Sequence, residues 1–206
     1  MQTTTTRAIH AYWSRVRRGR DIPDRRDIEP ADLRQHLPDL FILEQVAGSG
    51  PVFRLAGTRL CALFGRELRG KVFEGLFAPD ARDRVGRICG TVMSQRRPAV
   101  LQASAYGRSV QPIAVEVLLL PMTSHSSHAD RIFGALAPLT PVRPLDMPFR
   151  SMALETHVTV DREQECELLR EPPASPPPAT IVRVGAQDIG QRVRRMLHLR
   201  VFDGGK

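Results

Sequence analysis

Cysteine is scarce in this chain. Cys61, Cys89 and Cys166 stand far apart with no CxxC pairing, which argues against a disulfide framework and a cysteine zinc site and fits a reducing compartment. Lysine is nearly absent, since among 30 basic residues only Lys71 and Lys206 are not arginine. Aromatic residues make up 5% of the chain, with Trp13 its one tryptophan. No apolar run reaches the roughly 18 residues of a membrane span, and VEVLLLP has the length of a strand. The opening MQTTTTRAIHAYW lacks the apolar region of a signal peptide. A cytoplasmic protein is the expectation.

Catalytic signatures are missing too. There is no GxSxG elbow, no P-loop, and no GxGxxG after a strand. His125, His128 and Asp130 have a ligand-like spacing but no second ligand pair, so they read as a solvated loop with no metal. Glu44, Asp83 and Glu116 fall on separate elements without a shared motif. No enzymatic activity is expected.

What is present is a core and a positive charge. The chain has 206 residues, 42% of them hydrophobic, enough for one full domain with extensions. Its net charge of +8 is unevenly spread. The last stretch carries Arg183, Arg192, Arg194, Arg195, Arg200 and Lys206 against Asp188 and Asp203. Basic tails of this kind gather phosphates, so a nucleic-acid-binding regulator using Arg192, Arg194 and Arg195 is the alternative function.

Residues 1–6 carry no pattern and are expected to fray. From Arg7 to Arg18, Ile9, Tyr12, Trp13 and Val16 form one apolar helix face, and Gly19 suits its C′ position. Trp13 and Tyr12 are candidates either for anchoring this helix or for meeting a partner. Asp21 to Pro38 is a connector holding a short helix that starts at Pro30. Leu40–Val46 and Pro51–Thr58 read as a hairpin. Asp80 is expected to cap a longer helix with Val85, Ile88, Cys89 and Val92 on its buried face, interrupted by Gly86 and Gly90. Three strands follow, at Ala99–Tyr106, Pro112–Leu120 and Arg131–Thr140.

Between the hairpin and the long helix lies FRLAGTRLCALFGRELRGKVFEGLF, a strand passing into a short helix that Gly65 ends. Gly65, Glu67, Leu68, Gly70 and Lys71 resemble the helix-to-loop box of the PAS domain, here without the Asn of the common pattern; Gly57 and Thr58 stand near its place. With the Trp-bearing helix and the Asp-Ile-x-Pro connector, the likeness extends over about residues 8–140 to small stand-alone bacterial PAS proteins without a catalytic output domain. It implies an α+β fold: a five-stranded antiparallel sheet with helices on one face and the N-terminal flanking helix on the other. The divisions are then residues 1–38 for the flanking helix and connector, 39–140 for the core, and 141–206 for a proline-rich linker and basic tail expected to separate from the fold.

The resemblance also implies a signalling module that binds other proteins, pairs with a second copy through the N-terminal helix, and responds to a small apolar ligand. The cavity that would hold such a ligand is lined by Phe53, Leu55, Leu60, Phe64, Phe73, Phe77, Ile88, Val92, Val115, Val117 and Phe133. No cofactor is expected. Cys61 lacks the Asn, Arg and Gln neighbours of a flavin box, and the helix facing the sheet offers Cys89 and Met93 but no His for a haem.

Overall fold

The computed structural model describes residues 1–46, 48–124 and 128–160. One antiparallel sheet organises them, from β1 (Leu40–Val46), β2 (Gly50–Ala56), β3 (Ala99–Tyr106), β4 (Ile113–Met122), β5 (Arg131–Pro138) and β6 (Ser151–Thr159), in the order β2-β1-β5-β4-β3-β6. Helices α2 (Thr58–Phe64) and α3 (Pro79–Gln95), with the 3-10 turn Phe73–Leu76, pack on one face. Helix α1 (Thr4–Val16) and the connector behind it pack on the other.

The first core is aromatic. Phe41, Phe53, Phe73 and Phe77 are all buried, with ring centroids 5.6–5.7 Å apart and mostly edge-on. Each such pair adds about 0.5–1.5 kcal/mol beyond the burial of its area. Gly134 belongs to this packing, because a Cβ there would collide with the Phe41 ring and the Leu118 carbonyl. The helix-to-loop box behaves as its sequence implies. Gly65 ends α2 with φ +62° and Gly70 turns the chain with φ +76°. The Glu67 carboxylate accepts the Arg69 N–H at 3.0 Å, and that bond holds its pKa below the usual carboxylate value. Gly70 and Lys71 then hydrogen-bond Phe53 along the outer edge of β2, which closes part of an edge strand.

On the opposite face, Ile9, Tyr12 and Trp13 of α1 pack with Leu118, Leu120, Phe133 and Ala135. The Trp13 indole N–H donates to the Pro121 carbonyl at 3.0 Å. The Tyr12 hydroxyl accepts the Glu29 N–H at 2.7 Å and so ties the connector to the helix. The first residues do not fray as expected. Thr3 is the N-cap, accepting the Thr6 N–H at 3.1 Å. Buried Glu116 of β4 accepts from the Gln2 N–H, the Thr3 N–H and the Thr6 hydroxyl, and from Gln102 at 2.8 Å. A strand carboxylate therefore caps α1 from outside it.

Two expectations about boundaries are corrected. Asp80 sits inside the first turn of α3; Pro79 takes the N1 position after Ala78, so rigid φ rather than a side-chain cap starts the helix. The sheet has six strands rather than five and is not complete at Thr140. β6 pairs with β3 along its length, Met152 and Phe149 join the first core, and Phe149 stands edge-on to Phe64 at 5.8 Å. The proline spacer 171–180 and the basic segment 181–206, read as separable, lie outside the described residues.

Two expectations follow. A chain ending at residue 150 loses β6 with the core residue Met152, so its melting temperature should fall sharply, while one ending at Val160 retains the strand; equal melting of the two would show that β6 adds nothing. Glu116→Gln should cost about 1–3 kcal/mol at neutral pH, the penalty for setting an amide against buried donors. Burial alone would raise the Glu116 pKa, but the bonds from Thr6, Thr3, Gln2 and Gln102 outweigh it and hold the pKa below 4.5. The stabilisation is thus present above the unfolded carboxylate pKa and lost as pH falls through the lower folded value. Trp13 fluorescence should shift to the red on that acidification in the wild type, and the variant should show no such transition.

Candidate functional site

Nine of the eleven residues expected to line a cavity do meet in one cluster: Phe53, Leu60, Phe64, Phe73, Phe77, Ile88, Val92, Val115 and Val117 are buried together between the sheet and α2–α3. They pack against one another as core. The other two are elsewhere. Leu55 is 45% exposed on the outer face. The pairing of β1 and β2 skips from Ile42–Leu55 to Leu43–Phe53, which leaves Arg54 as an extra residue in β2. A bulge of this kind turns the following side chain to the other face. Phe133 is buried, but in the α1 cluster; β5 is covered on both faces, so its apolar run does not disclose which residue faces which core.

The space that opens toward solvent lies at the rim of the first core. A cleft of about 600 Å³ runs between the C-terminal half of α3, the β1–β2 turn and the start of β5, with Glu74, Gly50, Gly86, Gly90, Met93 and Ala129 among its walls. The two glycines of α3 lie one turn apart on its helix wall. A Cβ at Gly90 would meet nothing within 4 Å, and one at Gly86 would only touch Glu74 at 3.5 Å. Neither glycine is required by packing; both leave room. Gly50 is different. Its φ is +72°, and a Cβ there would strike the Glu74 carboxylate, so glycine lets that carboxylate lie against the turn.

Glu74 is the chemically distinctive group of this cleft. Its Oε2 is buried with no hydrogen-bond partner. Burial, with Asp83 nearby, raises its pKa above the usual value against the lowering effect of its own backbone N–H. Such a carboxyl gains from a ligand group that can share a hydrogen bond with it. Cys89, buried behind it on α3, has its thiol pKa pushed up by burial and by Glu74, which makes it a core residue rather than a nucleophile.

The remaining sequence candidates are dispersed. Trp13 and Tyr12 are buried against the chain's own sheet and serve as anchors. Asp130 is engaged by Ser124 and Arg131, while His125 lies outside the described residues. Arg192, Arg194 and Arg195 lie outside them as well. Among the described residues no cluster of His, Cys, Asp or Glu could hold a metal ion, and no helix is long and apolar enough to cross a membrane. Sequence reasoning missed Glu74. Gly86 and Gly90 were its only signal, two costly residues in one helix with nothing in the sequence to explain them.

If Gly90 is kept for space, Gly90→Ala should stabilise the fold by about 1 kcal/mol, the difference in helix propensity; destabilisation in a melting experiment would mean that the glycine serves close packing. Glu74→Gln should also stabilise at neutral pH, by roughly 1 kcal/mol, through removal of an unsatisfied buried charge. Because its folded pKa is raised, Glu74 carries its penalty above the unfolded pKa, fully so once pH exceeds the folded value. The gain should therefore vanish on acidification below the unfolded carboxylate pKa.

A family model described as PAS domain matches residues 1–137, about two-thirds of the chain. No curated protein matches it. The matched span contains α1 to α3 and β1 to β4 and nearly all of β5; β6 lies beyond it.

Proposed function

The chain belongs to the PAS domain family, a family of sensory and signalling modules, and on that premise we propose a cytoplasmic regulator that binds other signalling proteins and is gated by a small ligand in the Glu74 cleft. It has no catalytic chemistry of its own in this reading. The observation that carries it is the unpartnered Glu74 Oε2 beside a cleft whose helix wall includes two glycines. The ligand class follows from the walls: an apolar part to suit Pro51, Met93 and Ala129, and polar groups for the edge formed by Gln45, Ser94, Arg96 and His128, one of them bonding the Glu74 carboxyl.

Gating is a population shift. A ligand that bonds Glu74 favours the arrangement of α3 and the β1–β2 turn in which that bond is made, by no more than its differential affinity for the alternatives. α3 also packs on β4, β5 and β6, so a change at its C-terminal half is felt across the sheet. Pairing of two copies through α1 would use the face that carries Ala8, Ala11 and Arg15, because Ile9, Tyr12 and Trp13 are buried against the chain's own sheet.

Native mass spectrometry of the full chain tests the ligand directly. The wild type should carry a small molecule that survives gentle ionisation. Gly90→Leu, which fills the cleft from the helix side, should lose it while the fold melts no lower. An empty wild type, or a bound species unaffected by Gly90→Leu, would overturn ligand gating at this cleft.

A further inference from the structure

Arginine is concentrated at a second place, on the face of the sheet opposite the Phe core. A groove of about 460 Å³ is bordered by five arginines, Arg25, Arg26, Arg54, Arg69 and Arg131. Its apolar part is half-buried Ile42 of β1 beside exposed Leu55 of β2. These side chains come from distant parts of the chain. Arg25 and Arg26 stand in the 3-10 turn after Asp24, which is fixed to the end of β4 by the Arg25 N–H donating to the Thr123 carbonyl at 2.7 Å. Arg54 is the bulged residue of β2, Arg69 belongs to the box after α2, and Arg131 begins β5.

Three of the five charges are answered locally. Arg26 pairs with Asp24 at 3.0 Å, and Arg131 with Glu44 at 2.7 Å, which Arg54 also approaches at 3.9 Å. Arg25 and Arg69 are exposed and make no close ion pair among the described residues, though the exposed Glu67 carboxylate lies near enough to Arg69 to feel its charge. The Ser124 hydroxyl is committed to Asp130. The groove therefore offers two exposed guanidinium forks, neither held in a close ion pair, beside an apolar patch.

We propose that this groove docks an acidic segment of a partner protein, in which carboxylates flank an apolar side chain: Arg25 and Arg69 take the carboxylates, and Ile42 with Leu55 takes the apolar group. Guanidinium forks bind carboxylates through paired hydrogen bonds, and arginine is among the residues enriched at interface centres. Asp24 and Glu44 already occupy Arg26, Arg54 and Arg131, so the groove presents separate cationic points rather than an unbroken basic track; that spacing suits single carboxylates better than a continuous phosphate backbone, and a free phosphate would have no use for Leu55. The bulge supports the same assignment, since it turns Leu55 outward beside these arginines. The inference rests on the reading of the chain as a protein-binding module and names the partner's chemistry.

The full chain is probed with an array of random short peptides at physiological salt, together with duplex DNA and vesicles of mixed neutral and anionic phospholipid. The wild type should enrich peptides with Asp or Glu on both sides of Leu, Ile or Phe. Arg25→Glu/Arg69→Glu should weaken them by about tenfold or more, as should Leu55→Ser, with melting temperatures unchanged because these side chains are exposed. Arg84→Glu/Arg87→Glu, with the same change of charge on α3, should leave them bound. Peptide binding without acidic preference, or equal in all variants, overturns the proposal. So does DNA or vesicle binding that the groove variant abolishes while no peptides are enriched. If wild type and groove variant bind the same partner proteins equally, the groove fails and the interaction module stands; if the wild type binds no protein at all, both fail.

Discussion

β4 is buried on both faces from Val115 to Met122, and that constraint governs the rest of the molecule. A strand apolar on both faces needs two covers. α3 and the phenylalanine cluster supply one, and α1 supplies the other. The second cover is an amphipathic helix of thirteen residues, short enough to be marginal on its own in water. Glu116 answers this weakness. It lies on the strand that must be covered, faces the covering helix, and spends its carboxylate on donors that α1 cannot satisfy internally. Trp13 at the other end bonds Pro121 of the same strand. The helix is held at both ends by the strand it shields.

Covering β4 leaves another part of the same face open. α1 rests on β4 and β5, and the sheet continues through β1 to β2, over which no helix lies among the described residues. On that uncovered part lie Ile42, Glu44, Arg54 and Leu55, and the bulge at Arg54 determines which of them point outward. The extra residue separates two functions within one short strand. Phe53 before it completes the aromatic core, and Leu55 after it belongs to the surface.

These particulars explain what could be read from the sequence. The Gly65–Lys71 box was legible because its meaning is local: a positive φ, a helix end and an Arg69 N–H two residues from Glu67 all lie within a few residues. The order of β1 to β5 was legible from periodicity and turn residues. Leu55 was misassigned because a bulge is a property of pairing, invisible in either strand alone. Phe133 was misassigned because two-sided burial erases alternation. β6 went unnoticed because four consecutive residues from Glu155 to Val158 are exposed and three prolines precede it, so its strand character resides in pairing with β3. Glu116 looked like an isolated carboxylate because its partners at the start of α1 are more than a hundred positions away and Gln102 lies on a neighbouring strand.

The cleft and the groove lie on opposite faces, but the β1–β2 hairpin enters both. Gln45, Gly50 and Pro51 border the cleft; Ile42, Arg54 and Leu55 border the groove. The hairpin is joined to the cleft through Glu74, whose carboxylate fits against the turn only because residue 50 is glycine. It is joined to the groove through the bulge, where one residue too many is held in register by Glu44 between Arg54 and Arg131. At the bulge the ladder is locally interrupted and the strand bends, so the side chains on either side of Arg54 serve opposite faces. A ligand bonding Glu74, as proposed, would therefore act on the same hairpin that presents Leu55 to the groove. Were the ligand and an acidic partner each to prefer one setting of the hairpin, each would change the other's affinity by the same factor. The size of that coupling is limited by how differently the ligand binds the two settings of the hairpin, and not by the distance between the faces.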